Sequence, residues 1–165
     1  VWDSLAITEY LAEQHPDIWP ADAKTRAWAR CAAAEMHSGF TALRNTCAMS
    51  CGVRVKLNEI SPALSSDITR ISELWQEGLT RFGGPFLAGK QFSAVDAFFA
   101  PVVFRIKTYQ LTVSPEAAAY CEHLLALPAM QQWLQDALAE TWREAAHEEE
   151  VTNAGEVVED FRARA

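Results

Sequence analysis

Length, composition and charge already restrict the class of protein. The chain has 165 residues, enough for one domain with a buried core, and 50% of them are apolar while 22% are charged, as in globular proteins. No run approaches the roughly 20 apolar residues that a membrane span requires. The net charge of −8 and the lack of a basic patch argue against nucleic acid as a partner.

The negative charge is concentrated at the C-terminal end. From Glu144 onward the chain has seven acidic residues and two arginines. Charge runs of this kind are usually solvated, so residues 147–165 are predicted to form an acidic tail. The expected local structure is a loose segment with a short helical turn at Val157 to Phe161.

The four cysteines indicate free thiols. Cys31, Cys47, Cys51 and Cys121 are too few and too irregularly spaced for a disulfide scaffold. Cys47 and Cys51 lie four apart, but no second pair or nearby histidine completes a four-ligand site. The sequence therefore predicts no metal, and it favours a reducing cytoplasm.

The first half of the chain is predicted to form two helices and a poorly defined segment. Apolar residues at helical spacing predict a helix over 3–14, followed by a connector over 17–23. An alanine-rich helix is predicted over 22–45, although Gly39 costs it about 1 kcal/mol relative to alanine. Residues 47–60 are predicted to form a turn and a short helix.

A capping box begins the most apolar helix. Ser93 and Asp96 are three apart, which is the spacing that lets each side chain accept a hydrogen bond from the other residue's backbone N–H. The helix that follows is apolar nearly all round, which predicts burial on most sides. Arg105 and Tyr109 lie four residues apart near its end and therefore share a face.

The remaining segments are also predicted to be helical. Pro62 precedes a helix over 65–82, Ser114 and Pro115 begin a helix that ends near residue 127, and Pro128 begins the next. No strand of convincing alternation is apparent. The predicted fold class is all-α, a helical bundle built on two long antiparallel helices.

Four passages in this order resemble one family. They read DSLAITEYLAEQHP, RAWARCAAAEMHSGFTALR, FLAGKQFSAVDAFFAPVVFR and LALPAMQQWLQDALAE, and they span residues 3–140. The first resembles the last helix of the thioredoxin-like domain of cytosolic glutathione S-transferases. The other three resemble helices of the family's C-terminal domain: the first long helix of bacterial members, the capping-box helix and the last conserved helix.

The resemblance implies a division of the chain into three parts. Residues 1–16 correspond to a remnant of the last helix of the thioredoxin-like domain, residues 17–146 to the all-helical C-terminal domain, and residues 147–165 to the acidic tail. In the family, the thioredoxin-like half carries the catalytic serine, tyrosine or cysteine. No catalytic residue is therefore expected in this chain, which we interpret as a fragment; the alternative is a gene product that has lost its first half.

The resemblance also implies a glutathione site at the start of the chain. Asp3 and Ser4 match an acidic-serine pair that holds the γ-glutamyl end of glutathione in the family. A hydroxyl and the N–H groups of a helix N-terminus suit a carboxylate, and an acid suits the ligand's ammonium group. The alternative is ordinary helix capping.

Substrate-binding candidates follow from the same resemblance. His37 matches a histidine that faces the active-site cleft, and Phe40 would line the apolar electrophile site. Arg105 and Tyr109 would point toward the cleft, with Arg44 as a weaker candidate of the same kind. The alternatives are a hydrogen-bonded core histidine, a core position for Phe40, and an ion pair between Arg105 and either Asp96 or Glu35.

The function that the resemblance implies is conjugation of the glutathione thiol to small apolar electrophiles. The intact protein would be a cytoplasmic homodimer with glutathione as a substrate, no metal, and no nucleic-acid or membrane partner. This chain would supply a wall of the electrophile site and would be inactive alone. The alternative is a non-enzymatic protein-interaction domain of the same fold.

Overall fold

The computed structural model describes residues 1–162, most of which are helical. In chain order the elements are α1 (Ser4–Ala12), a 3₁₀ turn (Pro16–Ile18), α2 (Ala23–Ser38), α3 (Thr41–Thr46), β1 (Val53–Leu57), α4 (Pro62–Phe82), α5 (Ala94–Thr108), α6 (Pro115–Leu125), α7 (Pro128–Ala139), α8 (Ala145–Ala154) and β2 (Gly155–Asp160). The predicted helical bundle is confirmed, with one small strand pair added to it.

Side-chain bonds show that α2 and α4, the two longest helices of the described chain, run antiparallel. Trp28, early in α2, donates from Nε1 to Glu77 Oε1 late in α4 at 2.8 Å. Glu35, late in α2, accepts from Arg70 Nε at 2.6 Å, nearer the middle of α4. Because later positions in α2 meet earlier positions in α4, the predicted antiparallel arrangement is confirmed.

Helix α5 is buried on most sides, as its sequence predicts. The ring of Phe99 packs edge to face against Trp75 of α4, with ring centroids 5.5 Å apart. Trp75 packs in the same way against Tyr120 of α6, with ring centroids 4.8 Å apart. Edge-to-face pairs of this kind add to the stabilisation from burial. The buried residues of α5 are Val95, Asp96, Phe99, Ala100, Val102, Val103, Phe104, Ile106 and Thr108.

The capping box at the start of α5 is present. Asp96 Oδ2 accepts from the Ser93 backbone N–H at 3.0 Å. Asp96 also has two long-range partners, since its Oδ1 accepts from the backbone N–H of Leu87 and from the hydroxyl of Tyr120, both at 2.9 Å. Burial raises the pKa of the Asp96 carboxyl, while these hydrogen bonds oppose the rise. The box therefore also fastens the preceding loop and α6 to the start of α5.

The helix predicted over 22–45 is wrong in its second part. Helix α2 ends at Ser38, Gly39 leaves the helical conformation, and Phe40 has a left-handed backbone with φ 53°. The short helix α3 then begins at Thr41, and Asp67 of α4 accepts from the backbone N–H of Leu43 at 2.9 Å. The interruption that Gly39 indicated is thus a break between two helices.

Two further predictions are wrong: that the chain has no strands, and that residues 47–60 form a turn and a short helix. Strand β1 pairs antiparallel with β2, and Arg54 faces Glu159 while Lys56 faces Glu156 across the pair. In β1, Val53 and Val55 are fully buried, which is the alternation of a half-buried strand. Opposite charges directly across a strand pair favour this register.

The C-terminal segment is ordered against the bundle rather than loose. Glu144 accepts from the backbone N–H groups of Ala146 and His147 at the start of α8. Arg162 pairs with Glu148 at 2.7 Å and with Asp160 at 2.8 Å. The hydrogen bond from Arg162 lowers the pKa of the Asp160 carboxyl. Part of the acidic charge is therefore used to hold the segment in place, and the region predicted as a short helical turn is strand β2.

Candidate functional site

The first turn of α1 presents two polar side chains to solvent. Asp3 is the N-cap residue, and its Oδ1 accepts from the backbone N–H of Leu5 at 3.0 Å. Its backbone has a φ of 73°, a value that residues other than glycine rarely adopt. Ser4 follows as the first helical residue, so its hydroxyl lies beside the N–H groups that begin α1.

His37, in the last turn of α2, contacts both of these residues. Its Nδ1 lies 3.1 Å from Ser4 Oγ, and its Nε2 lies 3.1 Å from Asp3 Oδ2. The imidazole side chain is 34% exposed and the Asp3 side chain 44% exposed, so solvent weakens their electrostatic interaction. Three of the residues predicted from the sequence therefore form one solvent-accessible cluster.

Arg44 adjoins this cluster from α3. Its Nη1 donates to the backbone carbonyl of His37 at 2.8 Å, and the side chain is otherwise on the surface. The bond bridges the break between α2 and α3. Arg44 thus supports the backbone that carries His37 and adds a positive charge near the cluster.

Phe40 lies in the core. It is 6% exposed, and its ring lies 6.5 Å from that of Phe99 on α5. The left-handed backbone at Phe40 turns the side chain inward at the break between α2 and α3. This position matches the core alternative for the residue.

Arg105 and Tyr109 share a face of α5, but both donate to the segment that follows α3. Arg105 Nε donates to the Cys47 carbonyl at 2.7 Å, and the Tyr109 hydroxyl donates to the Ala48 carbonyl at 2.9 Å. Tyr109 is buried, and burial raises its pKa. Burial lowers the pKa of Arg105, and the nearby charge of Arg44 lowers it further.

The two acids considered as partners of Arg105 have other partners. Glu35 pairs with Arg70, and Asp96 accepts from Leu87, Ser93 and Tyr120. Arg105 instead satisfies a backbone carbonyl. In this structure Arg105 and Tyr109 stabilise the fold and are not brought together with Asp3, Ser4 and His37.

Two further side chains, which the sequence did not indicate, complete a row of hydrogen bonds to this segment. Thr108 donates to the Ser50 carbonyl at 2.6 Å, and His147 of α8 bonds the Met49 carbonyl at 2.5 Å. With Arg105 and Tyr109, they contact the carbonyls of four successive residues, 47–50. Irregular backbone needs such partners when it is buried. The only sequence signal was the spacing of Arg105, Thr108 and Tyr109 on one helix face.

The thiols beside this row are poor nucleophiles. Burial raises the pKa of Cys47 to about 12 and that of Cys51 to about 11. Because the thiolate is the reactive form, both stay protonated and unreactive near neutral pH.

Replacing Tyr109 with phenylalanine is expected to lower the free energy of unfolding by about 1–2 kcal/mol, because the buried Ala48 carbonyl loses its donor. A urea titration monitored by circular dichroism measures this change. The matched control is Tyr10→Phe on the exposed side of α1, which we expect to leave the midpoint in place. Equal midpoints for both variants would show that the hydroxyl of Tyr109 does not hold the segment.

Within residues 1–162, no group of three histidine, cysteine or acidic side chains is arranged to hold a metal ion. Over the same residues, no helix is both long enough and apolar enough to cross a bilayer.

Solved structures with the same fold contain glutathione. One is a glutathione transferase homolog from Burkholderia gl BGR1 with bound glutathione, 25% identical to this chain, with a TM-score of 0.58 and 83% of this chain covered. Another is the theta class glutathione S-transferase of the citrus canker pathogen Xanthomonas axonopodis pv. citri with glutathione bound, 23% identical, with a TM-score of 0.55 and 80% of this chain covered. The chain spans 66% of the length of each.

A family model gives the assignment. Residues 23–136, more than half of the chain, match the model of the glutathione S-transferase C-terminal domain. A search of curated proteins gives no significant match. The matched residues run from the start of α2 into α7 and include both long antiparallel helices and the capping-box helix. The chain therefore belongs to the glutathione S-transferase family, of which it carries the C-terminal domain.

Proposed function

We propose that Asp3 and Ser4 bind the γ-glutamyl end of glutathione. The observation that carries this proposal is the cluster of Asp3, Ser4 and His37 at the N-terminus of α1. The γ-glutamyl end presents an ammonium group, which suits the Asp3 carboxylate, and a carboxylate, which suits the Ser4 hydroxyl and the first N–H groups of α1. The glutathione bound in two structures of the same fold supports the ligand's identity.

The reaction that we propose for the intact protein is conjugation of the glutathione thiol to small apolar electrophiles. The thiol must be activated as the thiolate, and we propose, from the family resemblance, that a thioredoxin-like half carries out that step. The helical domain would supply one wall of the electrophile site, near His37. We expect the chain described here not to accelerate conjugation of a chlorodinitrobenzene-type substrate above the uncatalysed rate.

The setting that we propose is the cytoplasm, with the intact protein acting as a homodimer. The four cysteines are free, which suits a reducing compartment. The dimer rests on the family resemblance alone.

Calorimetric titration with glutathione tests the proposed site. Ser4→Ala and Asp3→Asn are each expected to weaken binding by about tenfold or more, because the first removes a hydrogen bond to the ligand's carboxylate and the second removes the negative charge that faces its ammonium group. Ser66→Ala, an exposed serine of α4, is the matched control and should bind like the wild type. Unchanged affinity in both site variants would contradict the assignment.

Exposed apolar side chains on α1 and just before it favour a second candidate function, a protein-interaction domain. Trp2 is 86% exposed, and Tyr10 and Leu11 are 48% and 43% exposed. Large exposed apolar side chains that lie together are typical of surfaces that bind another protein. The titration separates the candidates, since a chain that binds no glutathione in any variant favours the interaction domain.

A further inference from the structure

We propose that the segment from Glu144 to Arg162, called the strap below, is a lid that detaches as a unit while the helical bundle stays folded. The strap contains α8 and β2 and lies beyond residues 23–136, the part of the chain that matches the family model. It forms one wall of a cavity of about 210 Å³, whose other walls come from residues 49–52, from α7 and from the loop after α7. Detachment uncovers this cavity and the Cys51 thiol that lines it.

The strap has few apolar contacts with the bundle. Val151, which is 3% exposed, is the only buried residue among residues 144–162. In helix α5, by contrast, nine of the 15 residues are buried. Because burial of apolar surface is the dominant stabilising contribution in folding, segments with few buried apolar contacts open locally at a low free-energy cost. The burial pattern therefore indicates that the strap opens before the bundle does.

Backbone bonds hold the strap against the bundle at both ends of the β1–β2 pair. At one end the Phe161 N–H donates to the Gly52 carbonyl at 2.9 Å. At the other end the Asn58 N–H donates to the Ala154 carbonyl at 3.1 Å. Each of these bonds is replaced by bonds to water when the strap detaches, so each contributes only modestly to the closed state.

Arg162 joins the parts of the closed strap. Its Nη1 donates to both carboxylate oxygens of Glu148 on α8, at 2.8 and 2.7 Å, and its Nη2 donates to Asp160 of β2 at 2.8 Å. Its stem lies against Gly52 of the bundle, where an added Cβ would lie 2.3 Å from Arg162 Cγ. Only 17% of the Arg162 side chain is exposed, so solvent screens these charge-assisted bonds less than it screens a surface pair.

The strap loses its internal structure when it leaves the bundle. Helix α8 has ten residues, and free helices of this length are marginal in water. The bonds from Arg162 to Glu148 and Asp160 are therefore made only in the closed state, and they stabilise it although both acids belong to the strap. The opening equilibrium thus depends on Arg162.

Hydrogen exchange of backbone amides, followed by nuclear magnetic resonance, tests whether the strap detaches as a unit. After correction for intrinsic rates, the Phe161 and Asn58 amides should exchange within about threefold of each other, because one opening event exposes both. Amides in the middle of α4 should exchange at least about a hundredfold more slowly, because they require unfolding of the bundle. Strap amides as slow as those of α4 would overturn the proposal, and so would clearly different rates at Phe161 and Asn58.

Two variants test the role of Arg162. Arg162→Gln is expected to raise exchange at both strap amides about tenfold or more, the equivalent of one charge-assisted hydrogen bond, while α4 is unchanged. Gly52→Ala keeps the arginine but places a Cβ 2.3 Å from Arg162 Cγ and 3.0 Å from Leu138 Cδ2, so it should act in the same direction. Arg70→Gln, which removes a two-bond ion pair with Glu35 inside the bundle, is the matched control and should leave the strap amides unchanged. Unchanged strap amides in Arg162→Gln, or equal acceleration in α4, would contradict the proposal.

The reactivity of Cys51 gives a second readout. Its thiol is half-buried in the closed state, and burial raises its pKa to about 11, which keeps it protonated and slow to react. Arg162→Gln should therefore raise the rate of alkylation by iodoacetamide at Cys51 about tenfold at fixed pH, in step with amide exchange. Tandem mass spectrometry distinguishes Cys51 from Cys47. Equal alkylation rates in the wild type and Arg162→Gln would show that the strap does not cover this thiol and would overturn the proposal.

Discussion

Replacing Asp96 with alanine is expected to lower the free energy of unfolding by about 3 kcal/mol or more, the largest effect of any single substitution considered for this chain. The Asp96 carboxyl is fully buried and accepts from the backbone N–H groups of Leu87 and Ser93 and from the Tyr120 hydroxyl. Removing it leaves these three buried donors, and the Ser93 hydroxyl that also donates to Oδ2, without this partner. The measurement is a urea unfolding titration monitored by circular dichroism.

A milder substitution keeps the prediction testable if the alanine variant does not fold. Asp96→Asn preserves the shape but replaces an acceptor oxygen with an amide donor; with the amide nitrogen at Oδ2, the Ser93 backbone N–H loses its partner, at a cost of about 1–3 kcal/mol. Asp136→Asn, on the surface of α7, is the control and should stay within about 0.5 kcal/mol of the wild type.

A double-mutant cycle with Tyr120→Phe isolates the long-range bond. If the Tyr120 hydroxyl contributes as the 2.9 Å distance indicates, the cost of Asp96→Asn should shrink in the Tyr120→Phe background, because Tyr120 donates to a charged carboxylate in the wild type and only to a neutral amide oxygen in the variant. Strict additivity would show that the two side chains do not stabilise each other.

Replacing Gly78 with alanine is expected to destabilise the protein by about 2 kcal/mol, although alanine is the better helix former by about 1 kcal/mol. Gly78 is buried in the C-terminal part of α4. A Cβ there would lie 2.4 Å from the Trp28 ring and 2.6 Å from the Leu87 carbonyl oxygen. The Leu87 backbone is itself bonded to Asp96, so it resists displacement.

The sign of the effect decides this prediction. A shift of the urea midpoint to lower concentration supports close packing of α4 against Trp28 and Leu87. A shift to higher concentration would mean that helix propensity outweighs the contacts. Thr80→Ala, an exposed position of the same helix, is the control, and it should stabilise by a few tenths of a kcal/mol.

The parts of the fold that follow from local spacing could be predicted from the sequence. Ser93 and Asp96 form their box because it depends on residues three apart. Arg105 and Tyr109 lie on one face of α5 because they are four apart. The partners of these side chains were not predictable, since Ala48 and Tyr120 are separated from them by many residues of chain.

The strand pair is a clearer example of a long-range contact that could not be predicted from the sequence. Strand β1 has only five residues, and its partner β2 begins about a hundred residues later, so neither segment has a local signal that reveals the pairing. The acidic charges of β2 indicated a solvated tail when considered alone. Two of them stabilise the strand pair because they face Arg54 and Lys56 across it.

The candidate site could be predicted only in part from the residues themselves. Asp3 and Ser4 carry the signature of a helix cap, and the family resemblance implied that His37 faces the cleft, but the contacts of His37 with Asp3 and Ser4 were not predicted. The hydrogen-bond arrangement of the three side chains required the structure. The turn at Phe40, which separates α2 from α3, also depends on a backbone conformation that a phenylalanine gives no reason to expect.

Chemical-shift mapping with glutathione is the most direct test of the glutathione site at the N-terminus of α1. Nuclear magnetic resonance detects weak binding, so the measurement suits a chain that carries only part of the proposed site. Addition of glutathione should shift the backbone amide resonances of Ser4, Leu5 and Ala6 together with that of His37, and Ser4→Ala should reduce these shifts. Unchanged resonances at these residues, or shifts confined to another surface, would contradict the assignment of Asp3 and Ser4 as the γ-glutamyl site.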